Sequence, residues 1–262
     1  MSLAPEVIAQ LAEELAEADR TRTLIPRITA RHPDATVEDS YAIQGVWRDR
    51  MIAEGRRLVG RKIGLTSKAM QQATGITEPD YGVMFDDTVY GSGDEIPVER
   101  FSNVRIEVEL AFVLGRPLEG PDCTLEDALA AIESVVPALE VLNSHIELEG
   151  RTIVDTISDN AAYGAMVLGP RRVAPGEVDL PWVPGVLSRN GEIEETGVAA
   201  GVLGHPVRGV AWLANKFHQH GARLEAGEIV LAGSFTRPMW VQAGDSVECD
   251  FGPLGVIACR FV

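Results

Sequence analysis

A change in hydrophobic pattern near residue 58 constrains the fold more than any other feature of this sequence. From there to residue 262, short apolar or alternating runs are separated by Gly, Pro and Asp, a pattern typical of a strand-rich domain. The dipeptide Asn190-Gly191 stands between two such runs and predicts a type I′ hairpin. The predicted strands are 58–63, 104–114, 136–142, 164–168, 185–189, 228–231, 246–251 and 256–261.

Helical spacing, in contrast, dominates the N-terminal part of the chain. Apolar side chains recur at helical intervals from residue 4 to about residue 18. A second helix is predicted to begin after Thr36, where Asp39 completes an imperfect capping box, and to end at Gly55. We therefore predict an N-terminal helical segment at residues 1–58.

The remainder, residues 59–262, is predicted to be one principal domain. It carries two further helical patterns, at residues 124–134 and 206–220. Strands and helices do not alternate along it, and no glycine-rich phosphate loop follows a strand, so a nucleotide cofactor is not expected. The predicted fold class is α+β, with helices attached to a strand-rich core.

The charge balance restricts the partners of this chain. It has 23 Lys and Arg against 39 Asp and Glu, a formal net charge of −16, which repels nucleic acid and anionic membrane surfaces. We therefore expect neither as a partner. The same field repels small anionic substrates, so a site for them needs its own positive charge, which a bound divalent metal would supply.

The first residues and the cysteines indicate a cytoplasmic protein. Residues 1–20 form an acidic amphipathic pattern without the basic start of a secretory signal, and no apolar run approaches the ~20 residues that span a bilayer. The three cysteines, Cys123, Cys249 and Cys259, have no zinc or redox spacing. Reduced thiols are expected, and a Cys249–Cys259 disulfide is the less favoured alternative.

The most informative stretch is a candidate strand with alternating charge, residues 105–110. Period-two geometry places Arg105, Glu107 and Glu109 on one face, with the roots of the two glutamates roughly 7 Å apart, twice the ~3.3 Å rise per residue. Glu140 ends another apolar run, where a charge is costly unless it is paired or bound to a metal. Three oxygen ligands suit Mg²⁺ or Mn²⁺ better than zinc.

Spacing alone leaves a second interpretation of these glutamates open. Glu107 and Glu109 would then form the solvated face of an edge strand, because alternating charge is common on such strands. Glu140 would simply follow a buried strand. The pattern therefore indicates a metal site without establishing one.

Four other polar features are candidates for the same site. Lys62 ends an apolar strand, where it would act as a base or bind a carboxylate, unless its head reaches solvent. Asp80 stands in a predicted turn, residues 78–82. Residues 155–162 are densely polar and are most simply a capped turn. Arg237 offers a fixed fork suited to a carboxylate, with a structural ion pair as the alternative.

These segments, in this order, resemble the family of 2-oxo-4-enoate hydratases and oxalocrotonate decarboxylases, within the fumarylacetoacetate hydrolase superfamily. The resemblance runs from about Ile43 to the C terminus. The segments that carry it are 60–67, 79–82, 105–110, 137–140, 155–161, 197–209 and 233–238. It implies a mixed β-roll or distorted barrel with flanking helices, assembled into homo-oligomers as large as decamers.

The resemblance also implies roles for individual residues. Glu107, Glu109 and Glu140 would bind Mg²⁺ or Mn²⁺. Lys62 and Asp80 would lie over the substrate as acid or base. Substrate contacts are further implied at Leu65, Ser67, Ser158, Asp159, Ser234, Phe235, Thr236 and Arg237.

The implied reaction is the addition of water to a small 2-hydroxy-2,4-dienoate, or its 2-oxo-4-enoate tautomer, in aromatic compound catabolism. Residues 64–70 and 233–238 are most similar to members that hydrate 2-oxohept-4-ene-1,7-dioate to 4-hydroxy-2-oxoheptanedioate. Asn143 and His145 stand where members of the family usually carry Asp and Arg. The connection from there to Asp155 is also shorter than in the members that act on the heptenedioate. These departures bear on recognition of the far end of the substrate rather than on the metal.

Other functions fit the same residues. One is hydration of the shorter 2-hydroxypenta-2,4-dienoate, and another is decarboxylation of the 4-oxalocrotonate type. Association with a decarboxylase of the same pathway is a further expectation. Hydrolytic cleavage of a C–C bond would need a water-activating His-Glu pair, which the sequence does not reveal. Outside enzymes, the alternative is a scaffold that assembles around a structural cation.

Overall fold

The computed structural model describes residues 2–67, 71 and 78–262 of the chain. Its helices are α1 (Pro5–Thr21), α2 (Ile28–Arg31), α3 (Val37–Ala53), α4 (Leu125–Ala131), α5 (Ile153–Ser158) and α6 (Val207–His218). Its strands are β1 (Leu58–Gly64), β2 (Asp80–Phe85), β3 (Val89–Gly91), β4 (Glu95–Ile96), β5 (Val104–Leu114), β6 (Ile132–Asn143), β7 (Tyr163–Leu168), β8 (Pro184–Arg189), β9 (Glu192–Val198), β10 (Ile229–Leu231), β11 (Met239–Trp240), β12 (Ser246–Asp250) and β13 (Val256–Phe261). Within this described part, no helix is long and apolar enough to cross a membrane.

The two long N-terminal helices, α1 and α3, form as predicted, whereas the four-residue helix α2 was not predicted. The capping box before α3 is complete, because the Thr36 hydroxyl accepts from the Asp39 amide and the Asp39 carboxylate accepts from the Thr36 amide. Buried side chains of these helices share one apolar cluster with Val83, Phe85 and Ile146 of the following region. The helical segment therefore packs onto the strand-rich region, and β1 already begins at Leu58.

The larger sheet provides the frame for the candidate site. Its strand order is β2-β1-β10-β5-β6-β7-β3, and β11 pairs with β5. Strands β5 and β6 form its longest antiparallel pair, from Val104 opposite Asn143 to Leu114 opposite Ile132. The β1–β10 and β3–β7 pairs are parallel, so the sheet is mixed. This mixed sheet with few helices confirms the predicted α+β class.

A smaller sheet, in the order β4-β13-β12-β8-β9, covers the other side of the main apolar core. The hairpin between β8 and β9 turns at Asn190 and Gly191, both with positive φ, as a type I′ turn requires. All three cysteines are free, and Cys249 faces Ile257 across the β12–β13 pair rather than Cys259. The less favoured alternative, a Cys249–Cys259 disulfide, is therefore absent from the structure.

Several boundaries and elements differ from the sequence expectations. Strands β2, β3, β4, β9 and β11 were not predicted. Of these, β3, β4 and β11 have only two or three residues, and β9 is mostly polar and exposed. The predicted helix at 124–134 ends at Ala131, because β6 begins at the next residue. The predicted turn around Asp80 is wrong, since this residue begins β2. Residues 68–70, part of the family resemblance, lie outside the described residues.

Candidate metal centre

Strand pairing brings the three predicted metal ligands together. Glu107 and Glu109 lie on the same face of β5, and Glu140 of β6 stands directly opposite Glu107 in the register. One carboxylate oxygen from each of the three residues lies within 4.8 Å of the others. Glu109 and Glu140 are buried and Glu107 is half-buried, so the alternative of a solvated edge-strand face is wrong.

The carboxylate oxygens of this cluster are suitable ligands for a hard divalent cation. Among the described residues, none donates a hydrogen bond of good geometry to either oxygen of the fully buried Glu140. Burial, reinforced by the neighbouring charge of Glu140, raises the pKa of Glu107 to about 7 and raises the pKa of Glu109 as well. A cation between these oxygens would offset that penalty, and a set of carboxylate oxygens matches Mg²⁺ or Mn²⁺.

Lys62 of β1 extends into the carboxylate cluster. The residue is 3% exposed, so the alternative in which its head reaches solvent is wrong. Its Nζ lies 3.1 Å from Glu140 Oε1 and donates to the carbonyl of Ala161 at 2.9 Å. Burial alone would lower the pKa of Lys62, but the charges of Glu140 and Asp80 raise it above its usual value. The side chain is therefore an ammonium ion next to the candidate metal ligands.

Asp80 faces the same space from the neighbouring strand. It is fully buried and stands opposite Gly64 in the β1–β2 register. Its carboxylate oxygens accept no hydrogen bond of good geometry from the described residues, and burial raises the pKa of this carboxyl despite the nearby Lys62. A Cβ at Gly64 would lie 2.2 Å from Asp80 Oδ1, so only glycine leaves room for the carboxylate.

The carbonyl that accepts a hydrogen bond from Lys62 lies in a left-handed turn after α5. Asn160, Ala161 and Ala162 have φ of 50°, 52° and 59°, a conformation that costs of order 1–3 kcal/mol for each such residue. The Asn160 side chain supports the turn by pairing with both backbone groups of Val83, at 2.7 and 2.9 Å. The group that accepts from Lys62 is a backbone carbonyl, which the identity of a side chain does not reveal, so the sequence did not indicate Ala161.

A cavity of about 920 Å³ opens over these residues. Lys62, Asp80, Glu107 and Glu109 all line it. Of the predicted substrate contacts, those that line the cavity are Leu65, Ser67, Ser234, Phe235, Thr236 and Arg237. Most of the predicted site is thus brought to one place.

Ser158 and Asp159 are the exceptions. Neither is among the described residues that line the cavity. The Ser158 hydroxyl donates to the Val154 carbonyl within α5, and the Asp159 carboxylate binds the backbone amide and ring of His145. The chain bends immediately afterwards, so that the backbone of the left-handed turn faces the cavity instead. Their predicted contact with substrate is therefore not supported by their positions.

The segment from Gly233 to Pro238 forms another wall. Gly233 has a φ of +108° and donates its amide hydrogen to Glu109 Oε2 at 2.9 Å. Ser234 Oγ donates to the Thr236 carbonyl at 2.9 Å. The Arg237 side chain is 82% exposed and forms an ion pair with Glu195 at 2.7 Å. The structural ion pair considered as an alternative for Arg237 is therefore present.

Two further arginines, Arg105 and Arg151, line the cavity. The sequence placed Arg105 on the face of Glu107 but did not single it out as a site residue. Arg151 follows a turn in the connection before α5, outside any regular element, so no periodic pattern could have indicated it.

Known proteins are similar to this chain over nearly its whole length. It is 52% identical over 258 residues to a 2-oxo-hept-4-ene-1,7-dioate hydratase from Escherichia coli, covering 96% of this chain and 97% of the relative. A 2-keto-4-pentenoate hydratase from Paraburkholderia xenovorans (strain LB400) is 39% identical over 259 residues, covering 99% and 96% of the two chains. These two relatives differ in the length of the acid that they are named for.

A solved structure shows the same architecture. The 4-oxalocrotonate decarboxylase from Pseudomonas putida G7, complexed with magnesium and adipate, superimposes with a TM-score of 0.97 at 34% identity, and 99% of each chain is covered. The family model described as fumarylacetoacetate (FAA) hydrolase C-terminal matches residues 57–262, which begin where the N-terminal helices end. This chain belongs to the fumarylacetoacetate hydrolase family.

Proposed function

We propose that this protein is a divalent-metal-dependent hydratase that converts 2-oxohept-4-ene-1,7-dioate to 4-hydroxy-2-oxoheptanedioate in aromatic compound catabolism. The observation that carries the proposal is the cluster of Glu107, Glu109 and Glu140 beside the buried Lys62 and Asp80, at a cavity that four of these five residues line. The similarity of the whole chain to the Escherichia coli hydratase supports the choice of reaction and of substrate.

The three glutamates would hold Mg²⁺ or Mn²⁺ at the base of the cavity. A bound cation of this kind would supply the positive charge that stabilises negative charge on the 2-oxo acid. The magnesium in the Pseudomonas putida G7 structure supports this cofactor. The apolar side chains of Leu65 and Phe235 line the cavity, where they would contact the hydrocarbon part of the substrate.

Lys62 and Asp80 would move the protons. From the 2-hydroxy-2,4-diene tautomer of this substrate, a proton must leave the 2-hydroxyl and one must reach C5. Water then supplies a hydroxyl at C4 and a proton at C3. Lys62 is an ammonium held by Glu140 and the Ala161 carbonyl, so a proton would be exchanged with the substrate at a fixed position. Asp80 has a raised pKa, which makes its carboxylate a stronger base than an exposed aspartate.

The direct test is turnover of a panel of 2-hydroxydienoates of differing length, with identification of the products. We expect loss of dienoate absorbance, formation of a 4-hydroxy-2-oxo acid, inhibition by EDTA and recovery with Mg²⁺. Glu107→Gln and Glu109→Gln should each abolish this activity while leaving the fold, because an amide oxygen lacks the charge that a hard cation requires. Wild-type turnover in either variant would remove that residue from the ligand set.

Decarboxylation of a 2-oxo diacid is the second candidate, and the TM-score of 0.97 to a decarboxylase favours it. It needs the same stabilised negative charge but no attacking water. Release of CO₂ with the loss of absorbance would identify it. Hydration of 2-hydroxypenta-2,4-dienoate as the preferred reaction would instead place the protein with the shorter-chain hydratases.

We also propose a cytoplasmic homo-oligomer, with a decamer as the largest expected assembly, that associates with a decarboxylase of its pathway. The free cysteines are consistent with a reducing compartment. The exposed side chains of Trp182, Ile193 and Trp240 are candidates for contacts between subunits. Light scattering after size-exclusion chromatography measures the assembly, and a monomer at micromolar concentration would contradict it.

A further inference from the structure

Two arginine side chains that line the cavity converge on one hydroxyl, that of Ser144. Arg105 Nη2 donates to Ser144 Oγ at 2.9 Å, and Arg151 Nη1 donates to the same oxygen at 2.8 Å. Glu107 and Glu109 of the glutamate cluster line the same cavity. A hydroxyl is neutral, so this shared partner places two guanidinium groups close together without neutralising either charge.

The described surroundings leave this arginine pair with unused binding capacity. Arg105 also approaches Asn103 Oδ1 at 3.4 Å, which adds no negative charge, and its buried Nε has no hydrogen-bond partner among the described residues. Arg151 forms an ion pair with the buried Asp159 at 3.6 Å, longer than the 2.7 Å contact of the same carboxylate with the His145 ring. An incoming carboxylate would therefore meet donors and positive charge together.

The position of the pair fits one end of an extended diacid. Arg105 and Glu107 are two residues apart on one face of β5, about 6.6 Å at a rise of ~3.3 Å per residue. An extended seven-carbon chain spans about 7 to 8 Å between its terminal carbons, given C–C bonds of about 1.5 Å. A substrate with one carboxylate on a cation held by the glutamates would thus place its second carboxylate near the arginine pair.

Arg237 is less suited to this role. Its side chain is 82% exposed, and Glu195 already neutralises it at 2.7 Å. The Arg151 side chain, in contrast, is only 15% exposed, which strengthens its attraction for an anion because less water screens it. In a chain with a net charge of −16, the subsite for a second carboxylate needs such a shielded positive charge.

We infer that Arg105 and Arg151 form the subsite that binds the substrate carboxylate remote from the glutamate cluster and so select diacids over monoacids. This inference rests on the proposed function, because it assigns one end of that substrate. It makes Arg151 a specificity-determining residue in a segment where the sequence indicated none.

The test compares two ligands that differ only in the remote carboxylate. Binding of 2-oxoheptanedioate and 2-oxoheptanoate to the Mg²⁺-loaded full-length protein is measured by calorimetry. Arg151→Met should weaken binding of the diacid roughly 10- to 100-fold, the scale of a hydrogen bond to a charged group, and change the monoacid less than about threefold. Arg151→Lys should recover part of the loss, because it restores the charge but not the fork.

Matched variants separate the subsite from general effects of charge. Arg172→Met removes an exposed arginine outside the cavity and should change neither affinity. Arg105→Lys keeps the charge of the other arginine and should weaken binding of the diacid less than Arg151→Met does. Circular dichroism and the melting temperature verify that each variant is folded.

Equal losses on both ligands in Arg151→Met would overturn the inference. So would a selective loss of the diacid in Arg237→Met but not in Arg151→Met, because the role would then belong to Arg237. The calorimetric result does not depend on turnover. Absence of hydration of any dienoate by the wild type would therefore refute the proposed function, while a selective loss of diacid binding in Arg151→Met would still support the subsite.

Discussion

The buried ammonium of Lys62 supports a prediction about stability that distinguishes the metal-free from the metal-loaded protein. Its charge is surrounded by four carboxylates, those of Glu140, Asp80, Glu107 and Glu109. Replacement by methionine keeps the length and apolar contacts of the side chain but leaves these groups without their cation. Removing one partner of a buried ion pair costs about 3–5 kcal/mol.

The loss should appear as a large shift in melting temperature. At about 2–4 °C per kcal/mol for a protein of this size, Lys62→Met should melt roughly 6–20 °C below the wild type in EDTA. Saturating Mg²⁺ should recover more than half of the difference, because a cation bound by the glutamates replaces the missing positive charge. Differential scanning calorimetry with and without Mg²⁺ measures both shifts.

A second lysine provides the control. Lys216 forms an ion pair with Glu78 at 3.1 Å, but the Glu78 side chain is 46% exposed. Because exposed pairs contribute about 0–1 kcal/mol, Lys216→Met should shift the melting temperature by only a few degrees, with or without Mg²⁺. An unchanged melting temperature of Lys62→Met in EDTA would contradict the buried ion pair.

The same variant tests the role of Lys62 in proton transfer. Lys62→Met should lower kcat by about 10² to 10⁴, the usual contribution of a positioned acid or base, while metal binding persists. A rise in KM at unchanged kcat would instead identify Lys62 as a substrate-binding charge.

Three further predictions follow from particular contacts. Burial alone would lower the pKa of His145, but Asp159 helps to raise it to about 9. The stability that the charged ring contributes is therefore complete below about pH 6.5 and is lost as the pH rises through 9. Melting temperature against pH should show this loss, and His145→Gln should remove it. Gly233→Ala should lower the melting temperature by several degrees and weaken Mn²⁺ binding. The new Cβ would lie 2.0 Å from Thr66 Oγ1, and a φ of +108° costs about 1–3 kcal/mol in residues other than glycine. A wild-type affinity for Mn²⁺ in this variant would refute the prediction. Thr36→Ala should cost about 1 kcal/mol through loss of its cap but leave turnover unchanged, as chemical denaturation and kinetic assays would verify.

Local pattern accounts for much of what could be predicted here. Alternation along β5 placed Glu107 and Glu109 on one face, because side chains of a strand repeat every two residues. Spacing could not decide between a metal site and a solvated strand face, since both need the same period. The family resemblance, which rests on whole segments, favoured the metal site and implied the roles of Glu140, Lys62 and Asp80, which the residues alone had offered only as candidates.

Local sequence patterns could not predict the contacts that complete the site. The Ala161 carbonyl reaches Lys62 only because a strained left-handed turn places it there, and a backbone group carries no side-chain signal. Ser158 and Asp159 were expected to contact substrate, yet the same turn directs them away from the cavity.

The sequence by itself determined the periodicity of the elements, the acidic character of the chain and the residue types of the candidate metal ligands, because these depend on neighbours along the chain. Only the tertiary structure decided that Glu140 stands opposite Glu107 and that Arg105 and Arg151 share the hydroxyl of Ser144. Pairing register and the path of an irregular connection depend on the packing of distant segments, so no local pattern encodes them.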